Sequence, residues 1–199
     1  MKTTIKALTL ALCAVLLVVS TVFATLAYLT STTELVTNTF TVGNVTITLD
    51  EAKVTEYGDK DGDTRVTENT YKLLPGHFYT KDPTIHVKAG SEPCYVFVKV
   101  TNDIAAIEAT GNTTVAAQMT AKGWVLVSGT TNVYCKEDKV DARTAAVDVE
   151  VFSSITIATE AEVSDYTGKT ITVIGYAVQA DGFASAADAW AAAPADWNS

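Results

Sequence analysis

Cysteine, histidine and basic residues are all scarce in this chain of 199 residues. Its three cysteines are too few for the disulfide framework that holds many small secreted proteins together. Its 14 lysines and arginines stand against 23 aspartates and glutamates, which gives a formal net charge of -9. Because nucleic-acid-binding domains normally carry a basic face, this balance argues against nucleic acid as a partner.

The motifs of common catalytic sites are also missing. The two histidines, His77 and His86, do not form an H-E-x-x-H motif, and no spacing points to a third zinc ligand beside them. The sequence has no G-x-S-x-G motif and no complete G-x-x-x-x-G-K-S/T loop. It therefore predicts a protein that is not an enzyme and needs no cofactor, with both histidines as exposed polar residues.

The chain begins with the pattern of a secretory signal peptide. Lys6 ends a basic start, an apolar run extends from Ala7 to Val19, and small residues follow up to Ala27. We expect a signal peptidase to remove residues 1–27, which makes Tyr28 the first mature residue and the protein extracellular. The signal segment is then the only part that meets a membrane.

Two alternatives stay open for this leader and for the cysteines. The stretch between Lys6 and Glu34 carries no charge, so an uncleaved membrane anchor is the alternative to cleavage. After cleavage only Cys94 and Cys135 remain, and an oxidising exterior permits them to pair. Two buried free thiols are the alternative to that disulfide.

Apolar and polar residues alternate along much of the remaining chain, as in half-buried β-strands. Turn signals such as Pro75-Gly76 and Asp181-Gly182 separate the alternating segments. The predicted strands include Val45–Leu49, Ile85–Val87, Cys94–Val100, Val147–Val151 and Ile171–Val178.

Two short helices interrupt these strands. The segment Thr113–Lys122 ends before Gly123, and Ser185–Ala193 begins with a capping-box pattern and stops at Pro194. We therefore predict an all-β fold, an antiparallel jelly-roll-like β-sandwich with two short helices, preceded by an N-terminal signal helix. Residues 28–199 are predicted to form a single domain.

The segment Leu26–Leu49 resembles the N-terminus of the TasA/camelysin family of Gram-positive bacteria. The similarity lies in Ala27-Tyr28, the step Ser31–Thr33, and the pattern of Asn38, Phe40 and Gly43 before an alternating strand. The turn Pro75–His77 and the ending Tyr176–Phe183 are also similar to members of this family. The resemblance implies a signal peptide cut by an endoplasmic-reticulum-type signal peptidase. It further implies a secreted jelly-roll protein that polymerises with itself into biofilm-matrix fibres.

In such fibres, the resemblance implies, the mature N-terminus of one subunit completes the sheet of the next. An incoming strand must satisfy its backbone at a neighbour's sheet edge and place alternate side chains in pockets. Residues 28–49 are the candidate donor strand, and they contain no proline. The candidate anchoring side chains are Leu29, Leu35, Val36, Phe40 and Val42.

Other functions compete with this one. Phe40–Leu49 is equally suited to be the first strand of a monomer, which would make the protein a monomeric cell-surface binding domain. Some family members are classed as metalloendopeptidases, but the residues here do not support that activity. Asp59, Asp61 and Asp63 have the spacing of calcium ligands, although Thr64 and Thr70 replace the glycine and glutamate of an EF-hand. A solvated acidic loop is the alternative to a calcium site.

Overall fold

The computed structural model describes residues 3, 5–6, 9, 12–16, 43–194 and 197 of the chain. The chain divides into two compact units, residues 1–41 and 42–199. In the first unit the described residues are helical. No helix among the described residues is long and apolar enough to cross a membrane.

The second unit is built from β-strands. Its described residues form eleven strands, two α-helices and two short 3-10 helices, Ala105–Ile107 and Ser164–Tyr166. The strands are β1 (Ile47–Val54), β2 (Lys60–Val66), β3 (Phe78–Thr80), β4 (Thr84–Val87), β5 (Ser91–Asn102), β6 (Trp124–Leu126), β7 (Val133–Lys136), β8 (Val140–Ala142), β9 (Val147–Glu150), β10 (Ser154–Thr156) and β11 (Ile171–Gln179). The helices are α1 (Val115–Ala121) and α2 (Ala186–Ala191).

The strands pair antiparallel throughout the described part of the chain. One sheet has the order β2-β1-β4-β9, and a second has the order β11-β5-β7-β6, with β8 also paired to β5. Strands β3 and β10 form a separate pair. The prediction of an all-β, antiparallel fold is therefore confirmed, as are the five predicted strands, within a few residues at their ends.

The main core lies between the two large sheets. Strand β5 is apolar on successive residues from Cys94 to Val98, as expected of a strand that is buried on both faces. One face of β5 packs against Ile85 and Val87 of β4. The other face, with Tyr95 and Phe97, packs under Trp190 of α2. Strand β5 thus carries two layers of core at once.

Both predicted helices are present, and α2 begins at the capping residue that the sequence predicts. The hydroxyl of Thr114 accepts a hydrogen bond from the backbone N–H of Ala117, which caps α1. The hydroxyl of Ser185 accepts one from the backbone N–H of Asp188, which caps α2. Helix α1 stops before Gly123, whose φ of 74° is the left-handed conformation that favours glycine at a helix end. Local sequence therefore fixes both helices.

Candidate assembly site

Most residues of the predicted donor strand lie outside the described part of the chain. This holds for the predicted cleavage site, Ala27 and Tyr28, and for every candidate anchoring side chain: Leu29, Leu35, Val36, Phe40 and Val42. Their roles stay predictions.

The last part of the predicted donor strand belongs to the molecule's own sheet. Residues 47–49 lie in β1 and pair with Ile85–Val87 of β4. Just before them, the carbonyls of Asn44 and Thr46 accept hydrogen bonds from the N–H groups of Glu92 and Lys88. These residues are therefore already paired within their own chain. The donor strand over residues 28–49 stays a prediction, and residues 28–42 are the part of it that lies outside the described residues.

The chain enters the described unit beside the end of β11. A Cβ built on Gly43 would lie 2.8 Å from Cγ of Glu92 and 3.3 Å from Oε1 of Gln179. Gln179 is the last residue of β11. Gly43, the first described residue of this unit, therefore lies near one end of β11.

Strand β11 forms one edge of the five-stranded sheet. Within the described residues it pairs with β5 alone, in an unbroken register from Ile171–Asn102 to Gln179–Cys94. Its nine residues, ITVIGYAVQ, include no charged side chain. A long, uncharged edge strand is a template on which another chain can pair.

The hydrogen bonds at the two ends of β11 show which residues direct their backbone groups outward. Asp103 donates to the carbonyl of Thr170, and Ala180 donates to the carbonyl of Pro93, so even-numbered residues bond to β5. Directly opposed residues in an antiparallel ladder alternate between bonded and non-bonded pairs. The N–H and C=O groups of the odd-numbered residues therefore point away from β5, toward the open edge. These residues are Ile171, Val173, Gly175, Ala177 and Gln179.

The core is incompletely covered along the same flank. Of eight partly buried apolar residues that pack around the main core, six lie on β11 or on the segment that leads into and begins β1. Only the second half of β1 pairs with β2, so the first half has one unpaired edge among the described residues. We call this flank the open seam. Its six apolar residues are Val45, Ile47, Leu49, Ile171, Val173 and Ala177.

The opposite flank, at β9, is closed. Val149 of β9 and Val140 and Ala142 of β8 are almost fully buried there. The indole N–H of Trp124 donates to the carbonyl of Glu150 at 3.0 Å. The ammonium of Lys122 lies 2.6 Å from the Glu150 carboxylate. Bulky and charged groups therefore occupy the edge that β9 would otherwise offer.

The acidic segment with calcium-like spacing is largely a strand. Asp61 and Asp63 lie in β2, which pairs with β1 through an irregular register. The carboxylate of Asp61 lies 2.6 Å from the ammonium of Lys53 across that pair. Both residues are exposed and lie in the irregular part of this pairing, between the paired residues Lys60 and Arg65, while Asp59 precedes the strand. The expectation of a solvated acidic loop therefore needs one correction, since Asp61 and Asp63 belong to a strand.

Among the described residues, no group of three or more histidine, cysteine or acidic side chains is arranged to hold a metal ion. Calcium binding at Asp59, Asp61 and Asp63 stays a prediction.

Cys94 and Cys135 are both free and buried. Cys94 packs between the two large sheets, whereas Cys135, paired opposite Phe97, packs under α2 on the other face of the same sheet. Thiols on opposite faces of a sheet cannot meet, so the alternative of two buried thiols describes this structure. Burial raises the pKa of Cys94 to about 11 and that of Cys135 to about 12, which disfavours the reactive thiolate.

The two histidines are more constrained than isolated surface residues. His77 contacts the carbonyl oxygen of Tyr57 through Nε2 at 2.8 Å. His86 points away from the core, as its alternation with apolar residues predicts, but it lies between two carboxylates. Its Nδ1 is 2.6 Å from Asp148, and its Nε2 is 2.8 Å from Asp50.

The charges around His86 form a row across the outer face of the four-stranded sheet. Burial lowers the pKa of His86, but the hydrogen bonds to Asp50 and Asp148 outweigh it and raise that pKa overall. Asp50 also accepts a hydrogen bond from Arg65. Burial raises the pKa of Asp50, but the hydrogen bonds and charges of Arg65 and His86 lower that pKa by more. The pKa of Asp50 therefore lies below its ordinary value. This row ties β2, β1, β4 and β9 together.

Comparison with known proteins adds no family to this description: no family model, no curated protein and no solved structure matches the chain.

Proposed function

We propose that this chain is a secreted structural protein of jelly-roll type that polymerises into extracellular fibres of a biofilm matrix. In this proposal a signal peptidase removes an N-terminal signal helix, and the freed segment of one copy adds as a strand to the open seam of the next. The protein acts as neither an enzyme nor a nucleic-acid binder, and its partner is itself. The observation that carries the proposal is the edge of β11, which is uncharged and has no partner among the described residues, beside half-buried core residues.

The dimensions of the two partners agree. Residues 28–42, at about 3.3 Å per residue, reach up to roughly 50 Å when extended, whereas the nine residues of β11 extend roughly 30 Å. The donor segment is thus long enough to cover the edge and still leave a connection to its own domain.

The proposed contact joins different surfaces of two identical copies. A contact of this head-to-tail kind generates a filament when successive copies do not close into a ring. Backbone groups at the odd-numbered positions of β11 supply the pairing, and the half-buried apolar residues of the open seam receive alternate donor side chains. Assembly then completes a core that each copy leaves partly exposed.

Deleting Tyr28–Thr37 tests this function. We expect the shortened mature protein to remain folded, because the described sheets begin at Ile47, but to form no fibres in electron micrographs. A matched control keeps the length and replaces residues 28–37 with an equally long serine- and glycine-rich segment. The control is also expected to give no fibres, because it lacks the apolar side chains.

Fibres that persist after the deletion would exclude exchange of this segment. Sedimentation of the intact mature protein distinguishes the alternative of a monomeric surface domain, since a fibre former lengthens with concentration and a monomeric domain does not.

A further inference from the structure

A lysine, a glutamate and an asparagine meet in a largely buried cluster at the second half of β1. The ammonium of Lys81 lies 2.6 Å from Oε2 of Glu51, and their side chains are only 10% and 6% exposed. The side-chain amide of Asn69 donates to the other oxygen, Oε1, at 2.9 Å. The Glu51 carboxylate therefore contacts the Lys81 ammonium through one oxygen and the Asn69 amide through the other.

This arrangement can provide a nucleophile. The Lys81 nitrogen and Oε2 of Glu51 are 2.6 Å apart and largely shielded from water, so a proton can pass directly between them along this hydrogen bond. The ring of Tyr71 lies 5.6 Å from the Lys81 nitrogen, which places an aromatic face beside the amine. A neutral, desolvated lysine amine attacks carbonyl carbons.

The Asn69 amide is polarised for such an attack. Its Oδ1 accepts a hydrogen bond from the backbone N–H of Val54 at 3.0 Å. Its Nδ2 also donates to the carbonyl of Ala52 at 2.9 Å, which fixes the orientation of the amide. A backbone donor on the carbonyl oxygen stabilises the negative charge that develops there in acyl transfer.

We propose that Lys81 and Asn69 are joined by an intramolecular isopeptide bond, with Glu51 as the proton shuttle. The Lys81 nitrogen attacks Cγ of Asn69 and forms the new C–N bond. As this bond forms, the Lys81 nitrogen loses one proton and Nδ2 gains one, and the Glu51 carboxyl group, which contacts both nitrogens, carries the proton from one to the other. The Cγ–Nδ2 bond then breaks and ammonia leaves, so an amine and a primary amide become a secondary amide and ammonia, with no change of oxidation state.

The chain contains a second buried glutamate–asparagine pair that lacks the amine. Asn102 donates to Oε1 of Glu108 at 2.9 Å, but the other oxygen of Glu108 accepts the backbone N–H of Val115 instead. This pair has two of the three components and is expected to stay unreacted. It provides a matched internal control for the cluster around Glu51.

The mass of the intact, denatured full chain tests the proposal. We expect the measured mass of the wild-type protein to be lower than the mass calculated from its sequence by the mass of one ammonia molecule. Lys81→Arg, Asn69→Ala and Glu51→Gln should each show the full mass of their own sequence. Two controls, Lys53→Arg at the exposed ion pair with Asp61 and Asn102→Ala, should keep the loss. The readout needs no folded variant, because the wild-type mass alone decides the main point.

Tryptic digestion locates the bond. Cleavage after Lys81 should fail, and the peptide 66–72, which contains Asn69, should be found joined to the peptide 73–88. A wild-type chain of unchanged mass overturns the proposal. So does an ammonia loss that maps to another asparagine or that persists in Asn69→Ala. None of these results depends on fibre formation.

Discussion

Strands β11 and β9 occupy opposite edges of the two packed sheets, and these edges differ in charge and in how far side chains cover them. Strand β11 carries no charged residue and leaves the groups of its odd-numbered residues unpaired within the described chain. Strand β9, with the sequence VDVE, has two acidic residues among four, and its end is covered by Trp124 and Lys122. A groove of about 500 Å³ beside β9 is lined mainly by charged side chains.

The difference shows what an edge needs in order to stay unpaired. Charges and a covering side chain make strand addition costly at β9, because a partner would have to displace them and leave them without water. Nothing comparable among the described residues blocks β11. In the proposed fibre, we therefore infer that strands add only at the β11 edge, which would make the fibre polar.

The largest effect is expected from a proline at the open edge. Ala177→Pro removes an N–H group that points away from β5, so the ladder to β5 stays intact while strand addition loses a donor. We expect fibre growth to stop while the domain stays folded. Thioflavin fluorescence and electron microscopy measure growth, and circular dichroism measures folding.

Ala177→Val is the matched control, because it changes the side chain and keeps the N–H group. Fibres should persist in this variant. If Ala177→Pro grows at the wild-type rate while folded, β11 is not the receiving edge.

At the closed edge, the change Trp124→Phe should affect stability instead of growth. Trp124 is 2% exposed, and the change leaves the carbonyl of Glu150 without its indole donor. A lost buried hydrogen bond of this kind lowers the free energy of unfolding by about 1–3 kcal/mol. Urea denaturation measures the change, and the exposed Val125→Thr serves as a control that should stay within about 0.5 kcal/mol of wild type. Faster or laterally associated fibres in Trp124→Phe would show that β9 can also receive strands.

The sequence predicts β9 and β11 as separate strands, but it does not predict that they lie at the edges of the sheets. Period-two alternation predicts Val147–Val151 and Ile171–Val178 correctly, because alternation is a local property of one segment. Which strand ends a sheet depends on partners far along the chain: β11 pairs with β5, whose residues lie between 69 and 85 positions earlier. The pattern of apolar and polar residues therefore cannot show which strand lies at an edge. The absence of charged residues in β11 is a local feature that distinguishes it from β9.

The cluster of Glu51, Asn69 and Lys81 shows the same limit for a chemical site. Its members are 18 and 30 residues apart and lie on or beside different strands. No spacing rule connects them, since the register of β1 and the loop after β2 bring them together. The acidic run around Asp61, by contrast, looked like a site because its members are close in sequence, and most of it is strand. Local spacing thus finds helix caps more reliably than it finds buried polar clusters.

A smaller effect is expected from salt. The full chain carries a formal net charge of -9, and removal of residues 1–27 takes away Lys2 and Lys6 but no acidic residue, so mature copies repel one another as they approach. Added salt shortens the screening length to about 8 Å at physiological ionic strength, and growth at the open seam should become several-fold faster as salt rises. Lowering the pH toward 4.6 should act in the same direction, because it removes negative charge. Growth rates that do not change with salt, measured by light scattering, would show that repulsion does not limit assembly.

The smallest effect concerns the charged row on the outer face of the four-stranded sheet. Asp50 and Asp148 raise the pKa of His86 above 6.5, so the folded state binds the proton more tightly than the unfolded chain does. The resulting stabilisation is fully present below pH 6.5 and is lost as the pH rises through the raised value. The pKa of Asp50 is lowered, so its contribution is present above 3.8 and is lost as the pH falls through the lowered value.

His86→Gln should therefore flatten the decline in unfolding free energy on the alkaline side of pH 6.5, measured by urea denaturation at a series of pH values. The row is partly exposed, and such pairs contribute up to about 1 kcal/mol, so the change is small. His77→Gln is the control, since that histidine contacts a backbone carbonyl and not a carboxylate. If the pH dependence of the unfolding free energy changes equally in both variants, the contacts of His86 with Asp50 and Asp148 are not its cause. A change in His86→Gln alone would show that the charged row stabilises the four-stranded sheet that ends in β9.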